Sequence, residues 1–402
     1  MSLTHLTYVA PIRHGTRPRR PDYEQLEAAV ALNDEGKHLE AIHKAFAHLF
    51  VDVQVPDLST QAFEFTQGSS KVTAKIEGDD LVIAVPLVRL PDGGRAIAAL
   101  RFVLTKLAAN GQLHQPRLRG DDIYLEYRDR VARMHPAKVI EVLKRMPMQA
   151  DANDDWLIGQ FGALPLERAD LGQLDAAELA RADTIWTDHW HEVEELSKES
   201  QRKRSIFFLN EVTAYAVHRL NFALPLTGFV GSKLAEAAAT FNDGQGDPDK
   251  REASMAKAIK EFKAVSPDEL HKSLGHATYA ISPLAEGTPK VLSGYFSGGN
   301  YIETIDRYRK SDKQIDAALA LMCTYNFLLA RYTWPEAVEQ RLEDGLGKSS
   351  GKPWREAADV MWHHAKELVG EFGEDDEDEA SGDGDDADGA DQAEASDDGG
   401  QS

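Results

Sequence analysis

The chain has 402 residues, 42% of them hydrophobic, and a formal net charge of −22 at pH 7. Its single cysteine, Cys323, excludes an internal disulfide and a thiolate-rich metal site, and no stretch approaches the roughly 20 apolar residues of a membrane span. The N-terminal residues lack a signal-peptide pattern and phosphate repels an acidic chain, so we expect a cytoplasmic location, no membrane partner and no nucleic-acid partner.

The first 22 residues are predicted to form an irregular, basic, proline-rich arm. Prolines stand at positions 11, 18 and 21, and no acidic residue precedes Asp22. Proline at this density removes backbone donors and interrupts regular structure. The stretch from Arg13 to Arg20 is a candidate intramolecular ligand for the sheet that the following residues predict.

Residues 23–165 carry the signals of an α+β domain. Helical spacing over 23–50 predicts one helix, or two short helices separated at Gly36. Alternation in 63–66 and 71–76, followed by a turn and the apolar run 81–88, predicts three antiparallel strands. A helix comes next, with five apolar residues on one face: Ile97, Leu100, Val103, Leu104 and Leu107. Two strands follow at 115–118 and 123–128, and then a helix that begins at Pro136. The order helix, three strands, helix, two strands, helix is typical of a sandwich in which helices cover one face of a sheet.

The third strand is apolar on both faces, which is unusual for a sheet that has one solvated face. Positions 81, 83, 85 and 87 are expected to face the core, whereas Val82, Ala84, Pro86 and Val88 would join Tyr124 in an apolar strip on the other face. Pro86 indicates an edge or a bend at that point. Such a strip is usually covered by a partner, a client peptide or the chain's own helical half. We predict these five residues as partner-binding residues, and no catalytic residues.

The alternation does not return after residue 165, and helical spacing predicts an irregular all-α bundle over 166–372. The predicted helices span 174–200, 205–224, 233–241, 250–265, 267–281, 300–309, 313–332 and 353–372. The segment Leu321–Arg331 is apolar almost all round, so its helix should be central and buried.

The last segment, 373–402, is predicted to be a disordered acidic tail. Fourteen of the 67 acidic residues lie between Glu374 and Asp398, where there is no Lys or Arg, which leaves 53 acidic against 45 basic residues elsewhere. A segment this charged repels itself and cannot bury apolar surface. The negative charge is therefore mainly a property of the tail.

The densest group of potential metal ligands is the run from Asp188 to Glu192, with Glu195 one turn further on. His189 and His191 do not share a helix face, and Asp188 with Glu192 offers two ligands without a third. We interpret the run as a solvated helix face, predict no metal and no cofactor, and keep an enzyme site around Asp188–Glu195 as the alternative. Cys323 lies in an apolar run and is predicted to be a buried structural thiol.

Residues 25–165 resemble the fold of type III secretion chaperones (CesT-like) and YbjN-like proteins. The likeness rests on the element order and on five segments, namely 33–50, Phe63–Val72, Ala84–Pro91, Ile123–Tyr127 and Pro136–Ile140. The resemblance implies a non-enzymatic, chaperone-like module that binds peptides, and it carries over no catalytic residues.

Together these observations predict a chaperone-like adaptor that binds a protein or peptide client on the apolar strip or at a sheet edge. A homodimer formed through the sheet is a further use of the same surface. The basic residues of the sheet region, such as Arg117, Arg119 and Arg128, are interpreted as solvated surface and not as a nucleic-acid site.

Overall fold

A computed structural model describes residues 3–5, 7–13, 20–108, 111–241 and 247–373 of the chain. Apart from Gly373, the predicted acidic tail lies outside the described residues, and so do residues 14–19 of the predicted arm.

The first half of the chain confirms the predicted α+β order. Its elements are helices α1 (Tyr23–Asp34) and α2 (His38–Leu49), strands β1 (Phe63–Gly68), β2 (Ser70–Glu77) and β3 (Asp80–Arg89), helix α3 (Gly94–Phe102) with a π-helical turn (Val103–Leu107), strands β4 (Gln115–Arg119) and β5 (Asp122–Arg130), helix α4 (Pro136–Phe161) and strand β6 (Leu164–Pro165). Gly36 separates α1 from α2 with a φ of 78°, a conformation that glycine adopts without strain.

The second half is helical, as predicted, with three two-residue strands among the helices. Its elements are α5 (Ala176–Lys203), α6 (Ile206–Ala223), α7 (Gly228–Phe241), α8 (Pro248–Lys263), α9 (Pro267–His271), β7 (Thr278–Tyr279), β8 (Ala285–Glu286), α10 (Pro289–Phe296), α11 (Gly299–Arg309), α12 (Gln314–Arg331), β9 (Tyr332–Thr333), α13 (Glu336–Ser349) and α14 (Trp354–Phe372). The central position of α12 is confirmed, because Leu321, Tyr325 and Leu328 are fully buried in its middle.

Two expectations for the helical half are wrong in detail. The predicted helix over 267–281 ends at His271, because Leu274 and His276 form isolated bridges with Leu226 and Gly172. Helices α10 and α13 occupy segments for which the sequence pattern predicts no helix.

The main sheet is antiparallel, with the strand order β4-β5-β3-β2-β1-β7, and β6 pairs with the end of β3. On its inner face Ile83 and Val85 pair with Tyr127 and Leu125, and helices α2 and α4 cover them. The helix predicted at Pro136 runs on to residue 161, far enough to cross the whole sheet. The inner face therefore forms the core of the first half.

Helix α3 and the π-helical turn bury only part of the predicted apolar face. Ile97 and Leu104 are 57% and 62% exposed, whereas Ala99, Val103 and Leu107 are buried. Val103 and Leu107 are buried as predicted, together with Ala99 at the same spacing of four, whereas the prediction is wrong for Ile97 and Leu104.

The two halves are joined at one edge of the sheet and along α4. Strand β7 of the helical half pairs with β1, and the Gln67 side chain exchanges hydrogen bonds with the backbone of Ile281 at 2.8 and 3.0 Å. Helix α7 packs on α4, where the rings of Trp156 and Phe229 lie 5.7 Å apart. Among the described elements, no helix of the second half packs extensively on β2 to β5. The helical half thus extends the sheet and leaves its outer face open.

The N-terminal arm is irregular, as predicted, but its described residues dock on the helical half and not on the sheet. Ile12 is 2% exposed in the core of the bundle, and its amide donates to the Ala223 carbonyl at 2.9 Å. The Tyr8 amide donates to Ser350 at 3.0 Å. The expectation that the stretch from Arg13 to Arg20 binds the sheet is wrong for its two described residues, because Arg13 pairs with Glu339 and Glu343 and Arg20 with Glu286; residues 14–19 lie outside the described residues.

Candidate functional sites

Four of the five residues predicted for the apolar strip lie together on the outer face of the sheet. Val82, Ala84 and Pro86 lie on the outer face of the sheet with Tyr124, which pairs with Pro86. Val88 does not, because a bulge between Pro86 and Val88 shifts the register and pairs Val88 with Ile123 of the inner face. A bulge inserts one residue and so reverses the face of every later side chain in the strand. The assignment of Val88 to the strip is wrong, and we call the other four residues the outer strip.

Charged side chains surround the outer strip. Arg128 pairs with Glu77 and lies 3.3 Å from a carboxylate oxygen of Asp80. The guanidinium of Arg119 lies 4.6 Å from the centre of the Tyr124 ring. Val82 is consequently only 4% exposed, while Ala84, Pro86 and Tyr124 are half-buried. The outer strip is a narrow apolar line inside a polar face and not an open apolar surface.

Strand β4 is a free edge of the sheet. Within the described part of the chain it pairs with β5 alone, whereas the opposite edge is extended by β7. Arg117 and Arg119 project from the outer face of β4, and Leu118 projects from the inner face with 55% of its surface exposed. This edge offers unpaired backbone groups, one apolar side chain and the cation of Arg117 to an incoming strand, while Arg119 already pairs with Glu126.

The run from Asp188 to Glu195 does not come together as one site. His189 is fully buried, and its Nε2 donates to the Ala216 carbonyl at 3.0 Å. Burial holds the pKa of His189 well below its usual range. Glu192 also points into the bundle, where it pairs with Arg219. The interpretation of a solvated face is therefore wrong for these two residues.

The other members of the run face outward. Asp188 and His191 are exposed, and Glu195 accepts a hydrogen bond from Lys198 at 2.7 Å. Across the residues that the structure describes, no group of three or more His, Cys, Asp or Glu side chains is arranged to hold a metal ion. The geometry thus gives no support to an enzyme site at this run.

A cavity of about 390 Å³, which we call the helical cavity, lies between α6, α8, α10, α11 and α12. Its aromatic wall comprises Tyr295, Tyr301 and Phe327, with the Tyr295 and Phe327 rings 5.3 Å apart. Helix α6 contributes Glu211 and His218, because residues seven apart on a helix share a face.

Glu211 is the one carboxyl group among the residues that line the helical cavity. Its residue surface is 6% exposed, and its Oε1 accepts a hydrogen bond from the Tyr301 hydroxyl at 3.0 Å. Burial raises the pKa of Glu211 to about 7, against the opposing effect of hydrogen bonds from Tyr301 and Cys323. Carboxyl groups with a pKa near neutrality in a cavity are typical of functional sites.

Cys323 and His218 complete the polar side of the cavity. The Cys323 thiol donates to the Glu211 carbonyl at 3.1 Å, and burial raises its pKa well above the usual range, as expected of a structural thiol. Burial and the charge of Arg331 lower the pKa of His218 to about 4, so this ring is neutral at pH 7. Its Nδ1 is buried without a hydrogen-bond partner among the described residues.

The sequence pattern does not predict this cavity. Its residues come from five helices between positions 210 and 327, and no local spacing links them. The signal available in the sequence is Glu211, an acidic residue inside the otherwise apolar first turns of α6.

The pKa of Glu211 predicts how stability depends on pH. The unfolded chain releases this proton near pH 4.5, whereas the native state keeps it until about pH 7, so the free energy of unfolding falls as the pH rises between these values. We expect Glu211→Gln to remove about 3 kcal/mol of this fall, measured by urea unfolding at pH 4.5 and pH 8. The exposed control Glu261→Gln should behave like the wild type, and parallel pH profiles for all three proteins would contradict the assignment.

The comparisons with family models and with curated proteins identify no relative of this chain. No protein-family model matches the chain, and a search of curated proteins gives no match either. The likeness to secretion chaperones and YbjN-like proteins therefore remains a prediction from sequence. None of the helices in the described part of the chain combines the length and apolar content needed to cross a bilayer.

Proposed function

We propose that this protein is a non-enzymatic, chaperone-like adaptor that binds an extended segment of a client protein as an extra strand along β4. The observation that carries the proposal is the outer edge of β4, with which no described strand pairs along its whole length. Addition of a strand to a sheet edge is a common mode of peptide recognition, in which the backbone supplies affinity and side chains supply selectivity.

The side chains of β4 indicate what the client segment should look like. On the outer face Arg117 favours an acidic residue, Arg119 would have to exchange its partner Glu126 for one, and Tyr124 behind them offers a ring for an apolar neighbour. On the inner face Leu118 and the nearby turn residue Leu104 are exposed and favour apolar residues. An extended segment that alternates acidic and apolar residues satisfies both faces.

The architecture is compatible with such a client. Strands β4 and β7 lie at opposite edges of the sheet, so a strand added at β4 leaves the junction between the two halves intact. The predicted resemblance to peptide-binding chaperones supports the same class of function and a cytoplasmic location. A second copy of the chain, paired edge to edge, is the competing occupant of β4.

The test is affinity purification combined with hydrogen–deuterium exchange. The double variant Arg117→Glu with Arg119→Glu is expected to weaken client recovery about tenfold, and so is Leu118→Asp alone. The exposed control Arg145→Glu on α4 should retain client recovery. Amides of β4 should exchange more slowly in the client complex than in the free protein. Val88→Asp is unsuitable as a probe, because Val88 lies in the core.

Two results would overturn the proposal. One is equal client recovery by the folded β4 variants and the control. The other is slower exchange of β4 amides on raising the concentration of the purified protein alone, which would assign this edge to a homodimer.

A further inference from the structure

The helical cavity is independent of the proposed client surface. It lies in the bundle, whereas β4 lies in the first half of the chain. Its volume of about 390 Å³ is in the range of pockets that hold small organic molecules.

The carboxyl of Glu211 has no cation beside it in the described structure. It accepts a hydrogen bond from the Tyr301 hydroxyl, and the neighbouring Cys323 thiol, which donates to the Glu211 backbone carbonyl, is also neutral. Arg251 also lines the cavity but directs its guanidinium to the Phe241 carbonyl at 2.6 Å and the Asn210 amide oxygen at 2.9 Å. A buried carboxyl without a cation is costly to ionise, so the cavity lacks the positive charge that would stabilise the ionised form of Glu211.

The surroundings of Glu211 suit an organic cation. Tyr295, Tyr301 and Phe327 line the same cavity, and the faces of aromatic rings attract ammonium groups. The His218 ring packs edge-on against Phe327 at 5.0 Å and keeps an unused nitrogen, Nδ1, which can accept a hydrogen bond from an N–H group. A neutral ligand would form no ion pair with Glu211, and the ionised form of Glu211 would repel an anionic ligand.

We infer that the helical cavity binds a small organic amine in its protonated form, with the ammonium group on Glu211 and the apolar body against Tyr295 and Phe327. Binding is a simple association in which the amine replaces the proton that Glu211 holds. The ligand class follows from the charge and the aromatic wall of the cavity, and it does not depend on the proposed role of β4.

Isothermal titration calorimetry with three matched probes tests this inference. The probes are 2-phenylethylammonium, 2-phenylethanol and 3-phenylpropionate, which share an aromatic body and differ in charge. The ammonium probe is expected to bind at least tenfold more tightly than the other two, and Glu211→Gln should abolish this preference. Glu261→Gln, which replaces an exposed carboxylate of α8, is the control and should retain it.

The pH dependence gives a second readout. Between pH 6 and pH 8 the ionised fraction of Glu211 rises about tenfold, and the affinity for the ammonium probe should rise with it. The other groups around Glu211 keep their charge in this range: burial raises the pKa of Tyr295, Tyr301 and Cys323 and lowers that of His218, while the Arg251 guanidinium stays a cation. Equal affinities for the three probes, no binding of the ammonium probe, or an unchanged preference in Glu211→Gln would each overturn the inference.

Discussion

An Arg219→Ala variant is expected to lose about 3–5 kcal/mol of unfolding free energy, because it leaves a carboxylate buried without its cation. Arg219 is 5% exposed and pairs with Glu192, which is 7% exposed. The Tyr215 hydroxyl donates to the same carboxylate at 3.0 Å, and Arg219 donates to the Thr7 carbonyl at 2.9 Å. This one side chain therefore ties together α5, α6 and the N-terminal arm.

The measurement is urea unfolding followed by circular dichroism, with two comparisons. Arg145→Ala removes an exposed ion pair with Glu141 on α4 and should cost less than about 1 kcal/mol. The double variant with methionine at both 192 and 219 removes both charges and should recover most of the loss. A loss of less than about 1 kcal/mol in Arg219→Ala would show that Glu192 reaches water in the native state, contrary to the described packing.

A Gly68→Val variant is expected to lose about 4 kcal/mol at the junction between the two halves. Gly68 has a φ of 62°, a region that a branched side chain adopts only with strain of about 1–2 kcal/mol. An added Cβ would lie 2.1 Å from Oδ1 of Asp151, which accepts a hydrogen bond from the Ser69 amide at 2.5 Å. Displacement of this carboxylate costs a further 1–3 kcal/mol or so.

Gly78 supplies a matched control for this experiment. It has nearly the same φ, 63°, but an added Cβ meets nothing within 4 Å. Gly78→Val should therefore show the backbone strain alone, about 2 kcal/mol. Because Gly68 pairs with Thr278 of β7, hydrogen exchange at β7 should accelerate in Gly68→Val and not in Gly78→Val. Equal losses in the two variants would contradict the role assigned to Asp151.

The junction connects the sheet, which carries β4, to the bundle, which carries the helical cavity. Asp154 of α4 is buried beside Ser69, whose hydroxyl donates to it at 2.6 Å, and Arg168 lies 3.2 Å from the same carboxylate. Burial raises the pKa of Asp154 to about 8, against the effect of Arg168. This polar cluster, the β1–β7 pairing and the α4–α7 contact join the sheet and the bundle through several different interactions.

The sequence predicts the fold well where a single element carries its own signal. Alternation over 71–76 identifies β2, and helical spacing with Pro136 at the first turn identifies the start of α4. The same reasoning fails at Val88, because one inserted residue in β3 reverses the predicted face without changing the alternation before it. It also fails at 272–281, where pairing with distant residues overrides local helical preference.

The sequence by itself determined the α+β and helical halves, the central helix α12 and the buried thiol of Cys323. Each of these depends on the periodicity or polarity of neighbouring residues, which is a local property. Only the tertiary structure decided that β7 pairs with β1, that Ile12 docks in the bundle and that Glu211 faces an aromatic cavity. Those facts depend on contacts between segments many residues apart, and packing between distant segments leaves no local pattern in the chain.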